Sequence, residues 1–187
     1  MTATANKYKD LMGRNNWDSA QRLYDIVVDH ILGARTASWT EINTIADMSA
    51  QVVAPATGNL TLTQALHGNR VLYYDDADGT IQLPEATGSG YKYKVVVKTP
   101  FTGASIEAAS AGATFLGGLL GVDDDANAPY AWKAETLDDS IAGDGAATGG
   151  KAGDWYEFID IATDLFLVRG FITQSGASEV TPFSAAA

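Results

Sequence analysis

Residues 59–108, NLTLTQALHGNRVLYYDDADGTIQLPEATGSGYKYKVVVKTPFTGASIEA, decide the fold class. Short runs of alternating apolar and polar residues are separated by clusters of Gly, Pro, Asp and Asn, the pattern of strands joined by tight turns. Leu60 and Leu62 alternate with threonines toward Gln64. His67-Gly68-Asn69 reads as a turn, Val71–Tyr74 as a strand, and Asp75–Gly79 as the next turn. Thr80–Leu83 is a third strand, stopped by Pro84, which cannot donate to a ladder. After Gly88-Ser89-Gly90, Tyr91–Lys98 splits cleanly by period two. Tyr91, Tyr93, Val95 and Val97 share one face; Lys92, Lys94, Val96 and Lys98 share the other. Those lysines suggest a strand protected as a sheet edge. Ala104–Ala108 resumes the pattern through Ile106.

Upstream, the period changes. Residues 1–16 have no sustained pattern and read as an arm that Tyr8, Leu11 and Met12 would anchor on a partner. From Asp18 to Leu32, Ala20, Leu23, Tyr24, Val27, Val28 and Ile31 fall at helical spacing. Asp18 with Gln21 supplies a capping box and Gly33 a natural stop, which predicts an amphipathic helix. Residues 34–57 are a connector in which TEINTIADMSA has the spacing of a second short helix.

Downstream, ASAGATFLGGLLGV (109–122) places Phe115, Leu116, Leu119 and Leu120 as residues that close the core. Residues 123–153, opened by DDDANAP and closed by GDGAATGGKAG, read as a long surface insertion anchored by Tyr130 and Trp132. Trp155–Ile161 and Leu165–Thr173 then form a hairpin. The end, 177–187, reads as an extended tail whose Pro182 and Phe183 dock on a neighbour. The expected organisation is therefore mainly β: an antiparallel β-sandwich, barrel or β-tulip-like domain over 58–176. It is preceded by the arm, helix and connector of 1–57.

Chemistry is constrained by what the chain lacks. Its 187 residues carry a net charge of −11 and no cysteine. No basic stripe exists to release counterions from nucleic acid. Thiolate metal sites and disulfides are excluded. No signal-like leader and no long apolar run speaks for export or a membrane partner. The last third, 119–187, holds 12 of the acidic groups against 3 basic ones, so it would be drawn to a basic surface.

Candidate sites fail individually. Asp123, Asp124, Asp125 and Asn127 offer oxygens to calcium, but the sixth and twelfth loop positions hold Ala128 and Ala134. A loop starting at Asp76 fails at Ile81 and Thr87. His30 and His67 have no zinc spacing. Neither a nucleophile elbow nor a phosphate loop is present. Asp154, Glu157 and Asp160, beside Trp155 and Tyr156, come nearest to a carboxylate pair. Strand alternation explains them more simply, with Trp155, Glu157, Ile159 and Ile161 on one face and Tyr156, Phe158 and Asp160 on the other. No catalytic, cofactor or metal residue is assigned.

LTLTQAL, RVLYYDDADG and TIQLPEATGSGYKYKVVV together resemble a module recurrent in virion proteins of tailed bacteriophages. Its core is Thr80–Gly90. The Gly-rich SIEAASAGATFLGGLL, the Gly153–Gly170 segment and the TPFS ending extend the likeness over about residues 58–184. Size and layout are most similar to head decoration (cement) proteins. That resemblance implies a non-enzymatic homotrimer on the capsid exterior, made in the host cytoplasm, that clamps the major capsid protein. Tail-fibre or receptor-binding proteins that recognise host glycans are the alternative. The expected partner contacts are Tyr8, Leu11, Met12, Leu23, Val27, Ile31, Tyr130, Trp132 and Phe183.

Overall fold

Parallel neighbours in a sheet cannot be joined by a tight turn, so the chain needs a crossover between them. Here the crossover is a strand of a second sheet. The computed structural model describes residues 51–53, 57–109, 112–176 and 180–185. β1 (Val52–Val53), β3 (Arg70–Tyr74) and β5 (Lys92–Val97) lie parallel in one sheet. β2 (Leu60–Thr61), β4 (Thr80–Gln82) and β6 (Ala104–Glu107) lie parallel in the other. The chain alternates between the two sheets and winds as a short coil. Paired residues are offset by 19 and 23 positions on one side (Val52↔Val71, Leu72↔Val95) and by 21 and 25 on the other (Leu60↔Ile81, Ile81↔Ile106).

The rest of the chain closes both sheets. β7 (Thr114–Asp123), β8 (Ala128–Lys133), β10 (Trp155–Ala162) and β11 (Leu165–Gln174) complete a seven-stranded sheet, ordered β1-β3-β5-β10-β11-β7-β8. β9 (Ser140–Gly143) and β12 (Phe183–Ser184) complete a five-stranded one, ordered β12-β9-β6-β4-β2. The fold is mainly β, and its sheets are mixed rather than antiparallel. Among the described residues five strand pairs are parallel and five antiparallel. Winding forces four of the parallel pairs, because each circuit returns the chain in the same direction; the fifth joins β7 and β11.

Inward residues of both sheets make one buried cluster, including Leu72, Tyr74, Val95, Tyr156, Phe158 and Phe166 from the larger sheet and Ile81, Ile106 and Ile141 from the smaller. Burying such side chains stabilises by about 1.5–3 kcal/mol each. The rings of Tyr74 and Phe101 meet edge to face at 6.1 Å.

Several expectations change. The strand expected through Gln64 stops at Thr61. Thr63 instead caps a single helical turn, α1 (Gln64–His67), accepting from the Leu66 N–H at 3.4 Å while His67 Nδ1 accepts from the Thr63 N–H at 2.9 Å. β5 is an interior strand between β3 and β10, so its lysines mark an outer face rather than an edge. The stretch 123–153 supplies β8 and β9 to the two sheets, and Ile141 is in the core. Phe183 is buried and pairs with Ile141 rather than projecting toward a neighbour. Leu116 and Leu120 point outward while Phe115 and Leu119 close the core.

The chain divides into two units, Met1–Ser49 and Ala50–Ala187, and every described residue belongs to the second. The expected arm and helix, with Tyr8, Leu11, Met12, Leu23, Val27 and Ile31, lie outside the described residues.

The glycines of 143–153 have a packing role. Gly143 and Gly150 border the buried Phe101 ring, and a Cβ on Gly150 would stand 2.7–2.9 Å from it. Gly150 also has φ +88, a region costly for side chains. Gly153 has φ +95 but nothing within 4 Å of an added Cβ. Gly153→Ala is expected to cost about 1–2 kcal/mol in urea unfolding. Gly150→Ala, which adds a ring clash, is expected to cost clearly more. Equal costs would show that Phe101 does not need the glycine wall.

Candidate interaction surface

Two buried carboxylates organise the ground beneath this surface. Asp160, on β10, points inward and takes six hydrogen bonds from the corner between β4 and β5. The Thr87 N–H reaches both oxygens at 3.0 and 3.1 Å, the Gly88 N–H reaches Oδ1 at 2.6 Å, and the Ser89 N–H reaches Oδ2 at 3.0 Å. The Thr87 and Ser89 hydroxyls donate to Oδ2 at 3.2 and 2.5 Å. Gly88 (φ +79) supplies the turn that aims these groups at one point. Burial alone would raise the Asp160 carboxyl. The Ser89 hydroxyl and the N–H groups of Ser89, Thr87 and Gly88 outweigh it and hold the carboxyl below its ordinary 3.8.

Asp154 does similar work at the start of β10. Its Oδ2 accepts from the N–H groups of Gly150 and Lys151, and its Oδ1 from that of Thr173, all at 2.9 Å. Here burial prevails and pushes the carboxyl up, with the three donors offsetting it in part. Glu157 sits on the opposite face and pairs with Arg169 at 2.5 Å. The three carboxylates that came nearest to a catalytic pair are thus two structural anchors and one surface ion pair. Nearby, the Tyr156 hydroxyl is fully buried with no hydrogen-bond partner among the described residues.

The acidic clusters are similarly engaged. Asp123, Asp124 and Asp125 bring oxygens within 4.8 Å of one another. Asp123 Oδ1 accepts from the Asp125 N–H, Asp124 pairs with Lys151, and Asp125 accepts from the Gly176 N–H. Asp76 accepts from the Gly58 N–H, and Asp75 pairs with Lys98 at 2.5 Å. His67 is buried, and burial lowers its pKa. His30 lies outside the described residues.

The outer face of the seven-stranded sheet is different in kind. Leu120 is 64 % exposed, Leu116 47 % and Phe171 40 %, and Tyr73, Ile161 and Val52 are also exposed. Register lines them up. One row crosses six strands: Tyr73, Val96, Trp155, Phe171, Leu120 and Ala131. The next row is charged: Lys94, Glu157 and Arg169, then Gly118 and Lys133. A third runs Lys92, Ile159, Leu167 and Leu116, apolar except for the lysine at its β5 end. Lys94 Nζ covers the Trp155 ring at 4.6 Å. Exposed apolar rows of this kind are a feature that a surface working by association would need. An open cleft of about 740 Å³ adjoins it at Leu116, lined also by Phe115, Lys133, Glu135, Leu137 and Leu165.

Of the expected partner residues in the described part, Tyr130 and Trp132 stack at 6.3 Å with planes 5° apart. Both are half-buried on β8, and the Trp132 Nε1–H donates to Gln174 Oε1 at 3.0 Å. The structure therefore turns this pair inward and leaves Tyr73, Phe171, Leu116 and Leu120 outward. Sequence reasoning missed those four, although alternation on β3, β7 and β11 carried the signal. No family model, curated protein or solved structure matches the chain.

Two outcomes follow from this chemistry. Asp160→Asn turns an amide N–H₂ toward N–H donors and is expected to cost about 3 kcal/mol at neutral pH. Because the folded carboxyl titrates below the unfolded one, this contribution is fully present above the ordinary value of 3.8 and is lost as pH falls through the folded value. Asp154 has the opposite sign: its ionised form is a cost that acidification relieves. The urea-measured gap between wild type and Asp160→Asn should therefore narrow in acid; a gap independent of pH contradicts the anchor. Tyr156→Phe removes an orphaned hydroxyl and should raise stability by about 1 kcal/mol; a loss of that size would reveal a partner for it.

Proposed function

We propose that this protein is a non-enzymatic structural component that works by association, as a capsid-exterior protein stabilising contacts between major capsid protein subunits of a tailed phage. The observation that carries the reading is the outer face of the seven-stranded sheet, where exposed apolar residues form rows on a sheet backed by a continuous core. The buried carboxylates support it, because Asp154 and Asp160 spend their oxygens on backbone N–H groups. A β-sandwich, two sheets sharing one core, is the architecture this reading assumes. Such a body suits a part that must resist deformation while a flat face meets a partner. The resemblance of Thr80–Gly90 and Gly153–Gly170 to virion modules gives the partner class.

A tail-fibre or receptor-binding role is the second reading. The Tyr130–Trp132 pair is the observation nearest to it: parallel rings suit sugar faces, although both lie half-buried on the core side of β8.

Capsids lacking the protein, mixed with it and sedimented, should carry it down to a saturating stoichiometry. Deleting residues 1–33 should leave the β unit folded and weaken that binding. Protein that stays in the supernatant with capsids but binds host glycans would replace the first reading with the second.

A further inference from the structure

Charge is sorted unevenly over this molecule. The chain carries a net −11, yet the outer face of its seven-stranded sheet is basic. Among the described residues there are seven Lys and Arg side chains, and four of them point out from this face: Lys92 and Lys94 on β5, Lys133 on β8 and Arg169 on β11. Of the sixteen described Asp and Glu side chains, Glu157 alone points out from the same strands. Arg169 is already paired with Glu157 at 2.5 Å, and at the margin Lys98 is paired with Asp75 at 2.5 Å. Lys92, Lys94 and Lys133 have no carboxylate in ion-pair reach among the described residues. Lys94 Nζ instead lies 4.6 Å from the centre of the Trp155 ring, so its charge stands beside the exposed aromatic row.

We infer that the partner received by this face is an acidic protein surface, apolar at its middle and with carboxylates set to meet Lys92 and Lys94 on one side and Lys133 on the other. The argument is one of desolvation. A partner that covers the rows of Phe171, Leu120 and Leu116 also takes water from the three ammonium groups among them, and an ammonium covered without a counter-charge is costly. The Glu157–Arg169 pair brings its own compensation, so the partner owes it nothing. Spacing narrows the fit. β5 and β8 are separated by β10, β11 and β7, which sets Lys94 and Lys133 about 19 Å apart across the sheet. Lys92 follows Lys94 about 7 Å along the strand. The acidic last third of the chain would be drawn to a basic surface; this face fits the reverse. A phosphate chain fits less well, because the apolar rows offer it nothing and the other described carboxylates lie where it would run beyond the face.

This inference rests on the proposed association with a capsid and names the chemistry of the surface met there. Its test is the sign of a charge change in the full chain, read by sedimentation with capsids that lack the protein. Lys92→Glu, Lys94→Glu and Lys133→Glu combined should weaken binding roughly tenfold or more. The three lysines changed to Gln should lose less, in the same direction. Raising salt from about 0.05 to about 0.5 M should weaken the wild type more than the Gln variant. Far-UV circular dichroism separates lost binding from lost folding, and the Gln variant serves if the Glu variant unfolds. Variants that bind as well as the wild type, or better, overturn the inference alone, since a basic partner would gain from added carboxylates. Wild type that binds duplex DNA more tightly than capsids also overturns it, in favour of a phosphate partner. Wild type that ignores capsids overturns the proposed function, and the inference with it.

Discussion

The structure depends on one carboxylate. Asp160 gathers the N–H groups and hydroxyls of the β4–β5 corner onto the central hairpin of the seven-stranded sheet. A coil that alternates between two sheets has a weakness at each corner, where backbone groups leave one ladder before entering another. Left unpaired inside the molecule, each would cost about 1–3 kcal/mol. At this corner a single buried charge takes three N–H groups and two hydroxyls together. Around it the backbone adds Gly90 N–H to the Asp160 carbonyl at 2.8 Å and Asp160 N–H to that of Tyr91 at 3.0 Å. The corner is thereby fixed to β10, and β5 is held in register beside it.

That constraint sets what the two faces of the sheet can do. With Asp160, Phe158 and Tyr156 committed inward, period two puts Glu157, Ile159 and Trp155 outward. The outward row is then continued by whatever β11 and β7 present at the same register, which is Phe171 and Leu120. The exposed rows and the structural anchor are thus two sides of the same strand. A substitution that weakens the anchor would also disturb the rows.

Much of this was legible in the sequence at the level of strands. The alternation of Tyr91–Lys98 and Trp155–Ile161 places their side chains on the faces the structure shows, because a half-buried strand writes its burial directly into period two. The winding was not legible. Nothing local distinguishes a turn that returns a strand to its own sheet from one that sends it to the other, so antiparallel sheets were expected where the sheets are mixed. The Gly-rich 143–153 read as a loop because glycine's packing role depends on Phe101, more than forty positions away in sequence. Gly88-Ser89-Gly90 is a turn as its residues imply, but the carboxylate that anchors Thr87, Gly88 and Ser89, Asp160, lies 71–73 residues on and leaves no local mark. Phe183 read as a docking residue because a short apolar segment at the end of a chain looks the same whether it docks on a neighbour or on its own sheet.

The most direct measurement is amide hydrogen exchange at Thr87, Gly88 and Ser89. These residues sit in a turn, where exchange is ordinarily fast. The account predicts that in the wild type they are protected to the level of the β5 and β10 amides, and that Asp160→Asn removes this protection selectively. Fast exchange in the wild type, or protection that survives the substitution, would contradict the claim that this carboxylate anchors the fold.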